Sequence, residues 1–360
     1  YPSDYVVCER AVERTDGHVT DASCIGTGPY SLVRYRRGVE VDLASYNGYW
    51  GGKPTMPAVQ VPILIDPGTL YDNYRTGKVD MCLGPVPYDQ YAQDKERHRY
   101  MDQYQVLHPA QVDYLVMLPS RQPAFRKAAV RKAFAMAIDR DAISRVAYKG
   151  EAPRADGMLP PQLPGAPPSP PAIPYDPAQA RALLAQAGYP GGRGFPRLEL
   201  ITLQKTPYWQ EACQMIRDNL RANLGVNTDL QDREAGEYWH DQANEDIAFC
   251  LTGWVADYPD PQDFLSTNLA SYSSLDHVDY HSARFDSLCR RADEESDEAK
   301  RMALYGAADR QLMQDVAVLP IVYPPRISLI HKSISGWRAN LCYFLPPNEV
   351  VKTAGAAGAG

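Results

Sequence analysis

The sequence predicts an α/β fold in two lobes. Strand-like segments alternate with short helices along the whole chain. Two extended apolar runs, at 112–118 and 318–325, read as crossings between the lobes. The stretch between them carries its own full set of helices and strands. A β-containing region interrupted by a complete inserted α/β region is therefore expected, and binding clefts favour the interface of two such lobes.

Strands are expected over 31–35 and 39–43, joined by the Arg37-Gly38 turn. The second alternates Val39, Val41 and Leu43 with Glu40 and Asp42, the signature of a half-buried strand. A tight Gly-rich loop at 47–54 leads into a strand-like run at 58–65. A short helix over 69–75 closes at Gly77 before a strand at 79–83. Residues 125–147 place Val130, Phe134, Ala137 and Ile138 at helical spacing and predict one amphipathic helix. After a Pro-rich loop at 158–174, Asp176 caps a helix with Pro177 at its first position, Leu183 and Leu184 inward, and Gly188 at its end. Trp209, Ile216 and Leu220 stripe another helix that stops at Gly225, and Val226, Thr228 and Leu230 alternate as a strand. A further strand over 246–254 and helices near 283–292 and 297–315 complete the insert.

Length and composition bound the function. At 360 residues the chain has room for two to three units of about 150 residues. Hydrophobic residues at 44% and charged residues at 22% are ordinary for a globular protein, and 31 Pro with 25 Gly exclude a coiled coil. No stretch approaches the roughly 18 uncharged apolar residues of a membrane helix. The net charge of −7, from 37 Lys plus Arg against 44 Asp plus Glu, argues against nucleic acid as a partner. The one basic stretch, 121–140, reads as the solvated face of a helix. Tyr outnumbers Phe 24 to 7, and Tyr suits walls that stay wet and contact ligands, although surface Tyr in turns and strands is the plain alternative. The cysteines at 8, 24, 82, 213, 250, 289 and 342 are odd in number and show no CxxC, so neither a zinc site nor a disulfide scaffold is indicated. A Cys8–Cys24 bridge is left open.

Enzyme templates fail. Gly48-Tyr-Trp-Gly51-Gly52-Lys53-Pro54 has the wrong spacing for a phosphate loop, with Pro where Ser or Thr must reach Mg²⁺. No GxSxG elbow or HExxH occurs. Asp257, Asp260 and Asp263 lack the alternation, turn Gly and terminal Glu of a calcium loop. His277 and His281, with Asp276 and Asp279 beside them, have the separation of a divalent-metal pair on a helix. Their segment has no helical period and reads as a loop, so no metal or other cofactor is expected, and a metallohydrolase is the least favoured reading. The sharpest constellation is Gly253-Trp254-Val255-Ala256-Asp257-Tyr258-Pro259-Asp260-Pro261 at a strand end, where open α/β sheets face their ligand crevice. Trp254 suits an apolar wall, and a partly buried Asp257 suits a ligand ammonium, because a buried carboxylate is costly without a cation. The pattern alone allows equally that Asp257 caps the next turn and Trp254 is core.

Strings over most of the chain carry a resemblance. They are Gly26-Thr-Gly-Pro-Tyr30, Tyr46-Asn-Gly-Tyr-Trp-Gly-Gly-Lys-Pro54, Tyr74-Arg-Thr-Gly-Lys-Val-Asp80, the runs at 123–141, 175–190 and 253–261, Phe285-Asp286, and Leu319-Pro-Ile-Val-Tyr-Pro-Pro325. In this order they resemble the family 5 extracellular solute-binding proteins, the oligopeptide- and dipeptide-binding components of ABC importers. The resemblance implies a periplasmic-binding-protein type II-like fold closing over a ligand by hinge motion. It implies an extracytoplasmic, monomeric, non-enzymatic receptor that hands a peptide or other small solute to a membrane permease.

In the family the first of these strings follows a long N-terminal part, whereas 25 residues precede Gly26 here. The expected division is therefore 1–115 as the later portion of the first lobe, 116–322 as the second lobe, 323–353 as the return, and 354–360 as a disordered tail. Asp257 matches the family aspartate that accepts a peptide α-ammonium, and Trp254 a pocket tryptophan, with Gly253, Tyr258, Tyr238 and His240 as further ligand-binding positions. Leu251 stands where some relatives carry arginine, and Ala235 where another tryptophan often begins a helix. The family also binds sugars, opines, nickel and haem, which leaves the ligand class open. A ligand-sensing domain of a larger regulator is the alternative from another class.

Overall fold

The computed structural model describes residues 8–13, 24–64, 66–168, 170, 172–244, 247–338 and 350–353. Cys342 and the tail 354–360 lie outside them. Two compact units make up the chain, one drawn from 1–87, 93–107 and 327–360, the other from 88–92 and 108–326. Cys8 and Cys24 are free thiols, so no bridge joins them, whereas Cys82, Cys213, Cys250 and Cys289 are buried.

The first unit holds a three-stranded antiparallel sheet of Tyr30–Arg36, Glu40–Ser45 and Ala58–Pro62. The turn between the first two works because Gly38 takes φ 72°, a left-handed conformation that costs glycine no Cβ clash. Helix Pro67–Arg75 starts where the sequence puts a cap and a proline. Asp66 accepts the Thr69 N–H at 2.7 Å, and Pro67 fills a position whose N–H has no helical partner. Tyr71 and Tyr104 are buried here, and both hydroxyls donate to buried Asp94, at 2.6 and 2.8 Å. These two tyrosines are thus core residues with bonded hydroxyls, not wet walls.

The second unit is built on a five-stranded sheet. Its strands are β1 (Gln111–Met117), β2 (Leu198–Leu203), β3 (Thr228–Arg233), β4 (Phe249–Val255) and β5 (Val318–Val322), in the order β5-β1-β4-β2-β3. The pairs β2–β3 and β2–β4 are parallel, while β1 is antiparallel to both β4 and β5. The helices are α1 (Ala128–Ala137), α2 (Arg140–Val146), α3 (Pro177–Gln186), α4 (Pro207–Leu224), α5 (Ala235–Ala243), α6 (Pro261–Phe264), α7 (Ser266–Leu269), α8 (Ala283–Glu294) and α9 (Glu298–Asp315). Phe125, Phe134 and Phe249 meet at the centre, with ring centroids 5.4 to 6.0 Å apart. The cap at Asp176 and the stop at Gly225, φ 70°, are both where the sequence puts them.

Two expectations change. The run at 125–147 is not one helix. A 3₁₀ turn, Pro123–Arg126, precedes α1, and the chain opens at Ile138 before α2, because Asp139 accepts the Ala142 N–H at 2.8 Å and caps a new start. The runs read as crossings are strands β1 and β5 of one sheet, paired with each other, and the chain passes from unit to unit at 87/88, 92/93, 107/108 and 326/327, the last two close to the ends of these runs. All of β1 but its first residue is buried, as befits a strand covered on both faces.

Candidate functional site

Strands β2 to β5 point the same way, so the sheet has a carboxyl edge, where open α/β sheets bind ligands. β4 reaches this edge at Gly253 and Trp254, opposite Asp113 and Val112 of β1. Asp113 is fully buried. Its Oδ2 accepts the Tyr148 hydroxyl and the Trp209 indole N–H, each at 2.7 Å, and burial pushes its carboxyl up to about 6 despite these donors. Tyr88, Tyr148 and Tyr208 pack around it with centroids 5.2 to 5.4 Å apart.

Gly253 is small for a steric reason. A Cβ there would stand 2.7 Å from Asp113 Oδ1 and 3.2 Å from the Trp209 ring. Asp113 is fixed by its donors and gives no room. Gly253→Ala is therefore expected to cost about 1–3 kcal/mol through overpacking, read as a lowered denaturation midpoint. An unchanged midpoint would mean that Asp113 moves freely.

Beyond β4 the chain turns through Asp257 into α6, and its three aspartates divide their work. Asp260 caps α6 by accepting the Gln262 N–H at 2.9 Å, and Arg301 of α9 grips it with two bonds of 2.6 and 2.8 Å. Asp263 is fully buried, and its Oδ2 accepts both the Trp254 indole N–H at 3.0 Å and the Asp257 main-chain N–H at 2.9 Å. Burial pushes Asp263 up to about 6, and its Oδ1 has no partner among the described residues. Asp257 and Trp254 are half-buried, and the Asp257 carboxylate accepts no hydrogen bond from any described residue. The cap is thus Asp260, and Trp254 is half-buried rather than core. Tyr258 stands beside them, its hydroxyl 3.3 Å from Gln262 Oε1 and 3.2 Å from Thr267 Oγ1, and burial raises its pKa.

Tyr238 and His240 lie elsewhere, on α5. Tyr238 is fully buried, and its hydroxyl donates to Leu251 O at 2.7 Å, so it is a strut holding α5 on β4 rather than a wall. His240 is exposed, with Asn244 Nδ2 2.9 Å from its Nδ1. His277 and His281 take separate partners in a loop. His277 Nε2 is 2.9 Å from the Tyr114 hydroxyl, and burial holds this ring below its usual pKa, while His281 Nε2 is 3.0 Å from Asp279. Among the described residues no three His, Cys, Asp or Glu side chains gather as a metal site. A cavity of about 400 Å³ opens at the other end of β1, and Arg126 and Arg131 share its wall with Asp279 and Asp315, so its lining favours neither sign of charge.

Residues 4–276 match the model of the bacterial extracellular solute-binding proteins, family 5 Middle. The chain belongs to this family. The family 5 protein is 29% identical over 333 residues to Di/tripeptide-binding protein 2 of Pseudomonas aeruginosa, covering 91% of this chain and 61% of that one. It is 28% identical over 347 residues to the periplasmic oligopeptide-binding protein OppA of Escherichia coli, covering 94% and 62%. The chain thus spans about 60% of the length of these curated relatives. A solved periplasmic oligopeptide-binding protein of Borrelia burgdorferi superposes with a TM-score of 0.87 at 22% identity, over 96% of this chain and 69% of that one, so the α/β fold is shared. Among the described residues of this family 5 chain no helix is long and apolar enough to cross a membrane.

Two residues of the candidate site, Asp113 and Asp263, carry no ligand-binding expectation from the sequence. The first had a signal, a lone carboxylate in an otherwise apolar strand, which burial allows only with donors. The second had only its place in an aspartate-rich turn.

Proposed function

We propose that the protein is the solute-binding receptor of an ABC importer, acting outside the cytoplasm, and that it takes peptide-like solutes by a free amino end. The observation that carries this is the Asp257 carboxylate, half-buried at the carboxyl edge of β4 and lacking a cation among the described residues. Partial desolvation of an unpaired carboxylate is unfavourable, and a ligand ammonium offsets it. Trp254 offers a rigid apolar face next to that charge. The likeness to peptide-binding relatives supports the same class of ligand. Leu251 is fully buried, so its side chain meets no ligand carboxylate, and recognition rests on the amino end. Main-chain bonding to an extended ligand would add affinity that depends little on sequence. A receptor of this kind needs no catalytic group and no cofactor.

The test is calorimetry on the purified chain with alanyl-phenylalanine and its N-acetyl form. The free dipeptide is expected to bind, and acetylation to weaken it by about 100-fold, the scale of one lost charge pair. Equal binding of the two forms would remove the amino-end reading.

A further inference from the structure

We propose that Asp263 is the positioning residue of the ammonium anchor, one buried oxygen holding the Trp254 ring and the Asp257 main chain as a unit. This rests on the reading of Asp257 as the anchor.

The Asp263 Oδ2 accepts from an indole nine residues upstream and from a main-chain N–H six residues upstream. It therefore ties the strand end to the turn that carries the charge. The main chain is held by the sheet as far as Ala256, through the Trp254–Val112 pairing and the Ala256 N–H bond to Ala110 O at 2.8 Å, and what Asp263 adds is a hold on the indole ring and on the first N–H of the turn beyond it. The acceptor itself is fixed. Asp263 lies in α6, a single turn whose cap, Asp260, is gripped by Arg301 from α9. The line of constraint runs from α9 through Asp260 and α6 to Asp263, and from there to the wall and the anchor.

The choice of a carboxylate has a physical cost. Asp263 is fully buried, and Asp257 and Asp260 oppose its charge. A core position selected for packing alone would be apolar or a neutral amide. What a carboxylate adds is acceptor strength, since a charge-assisted bond is roughly twice as strong as a neutral one and shorter. A strong acceptor shared by two donors sets the gap between an apolar wall and an anionic group. That gap fixes how far the ligand's ammonium lies from its first side chain.

The experiment compares Asp263→Ala, Asp263→Asn and Asp257→Ala in the whole chain with the same two peptides. In parallel, amide exchange is followed at the Trp254 indole and the Asp257 main-chain N–H without ligand. Asp263→Ala is expected to weaken the free dipeptide at least tenfold, to leave the N-acetyl form within about twofold, and to speed exchange at both N–H groups at least tenfold. Asp263→Asn keeps an acceptor oxygen without its charge and is expected to fall between Asp263→Ala and the parent in both affinity and protection. Should Asp263→Ala not fold, Asp263→Ser, too short to reach either donor, takes its place. Unchanged exchange at both groups, or an equal loss for both peptides, would overturn the proposal. If Asp257→Ala leaves the free dipeptide bound as before, the anchor reading fails instead, and exchange still decides whether Asp263 fixes the two donors.

Discussion

Asp257→Ala is expected to lower the affinity for a free-amine dipeptide by at least about 30-fold while shifting the melting temperature by no more than about 2 °C. Both halves follow from the same geometry. The carboxylate has no partner among the described residues, so its removal breaks no bond that holds the fold. Surface changes of that kind usually stay within about 0.5 kcal/mol. Truncating one partner of a desolvated charge pair, by contrast, costs about 2–5 kcal/mol, and each 1.4 kcal/mol is tenfold in affinity. The neighbouring Asp260→Ala should behave in the opposite way. It loses the α6 cap and both Arg301 bonds, and leaves a guanidinium unpaired, so stability should fall. Calorimetry and thermal melts on the two variants separate anchor from brace. A large drop in melting temperature for Asp257→Ala with an unchanged dissociation constant would show that the two aspartates had been assigned the wrong way round.

How far the sequence shows this site depends on the range of each interaction. Asp176-Pro177 and Gly225 are legible as helix ends because caps are chemistry between near neighbours. The break at Ile138 is hidden, since Ala137 and Ile138 continue the apolar period while the Asp139 cap competes for the backbone. β1 reads as a crossing because an apolar run covered on both faces looks the same wherever it lies. Asp113 stands out in that run, but its donors Tyr148 and Trp209 are 35 and 96 residues away. Tyr238 fits a ligand wall or a strut equally well until α5 is placed on β4. The three aspartates of Asp257-Tyr-Pro-Asp260-Pro-Gln-Asp263 recur at equal spacing, so nothing in the string says which one caps, which is buried and which stays open. That division is made by Arg301, 41 residues beyond Asp260.

Stability should fall as pH rises from 4 to 8, and Asp309→Asn should remove a large part of that fall. Asp309 of α9 is fully buried. Its Oδ1 accepts the Met158 N–H at 2.9 Å, and its Oδ2 has no partner among the described residues. Burial pushes the carboxyl from its ordinary value up to about 7, more than the main-chain donors at 158 and 159 pull it down. Its folded pKa therefore lies above the unfolded one. Below pH 4 both states are protonated, and Asp309 contributes its full share to stability. Between 4 and 7 the unfolded chain releases the proton while the folded chain keeps it, so unfolding gains ground with each pH unit. Above 7 the folded state carries a desolvated anion. A shift of this size corresponds to a few kcal/mol, on the order of 1.4 per unit. Asn at 309 keeps an oxygen for Met158 and never ionises. Urea titrations at pH 4, 6 and 8 should show the variant gaining on the parent as pH rises. Asp113 and Asp263, raised in the same direction, add to the slope that remains, and buried His277, held below its usual pKa, opposes it. Parallel pH profiles for variant and parent would mean that the folded protein already ionises Asp309 at its ordinary pKa.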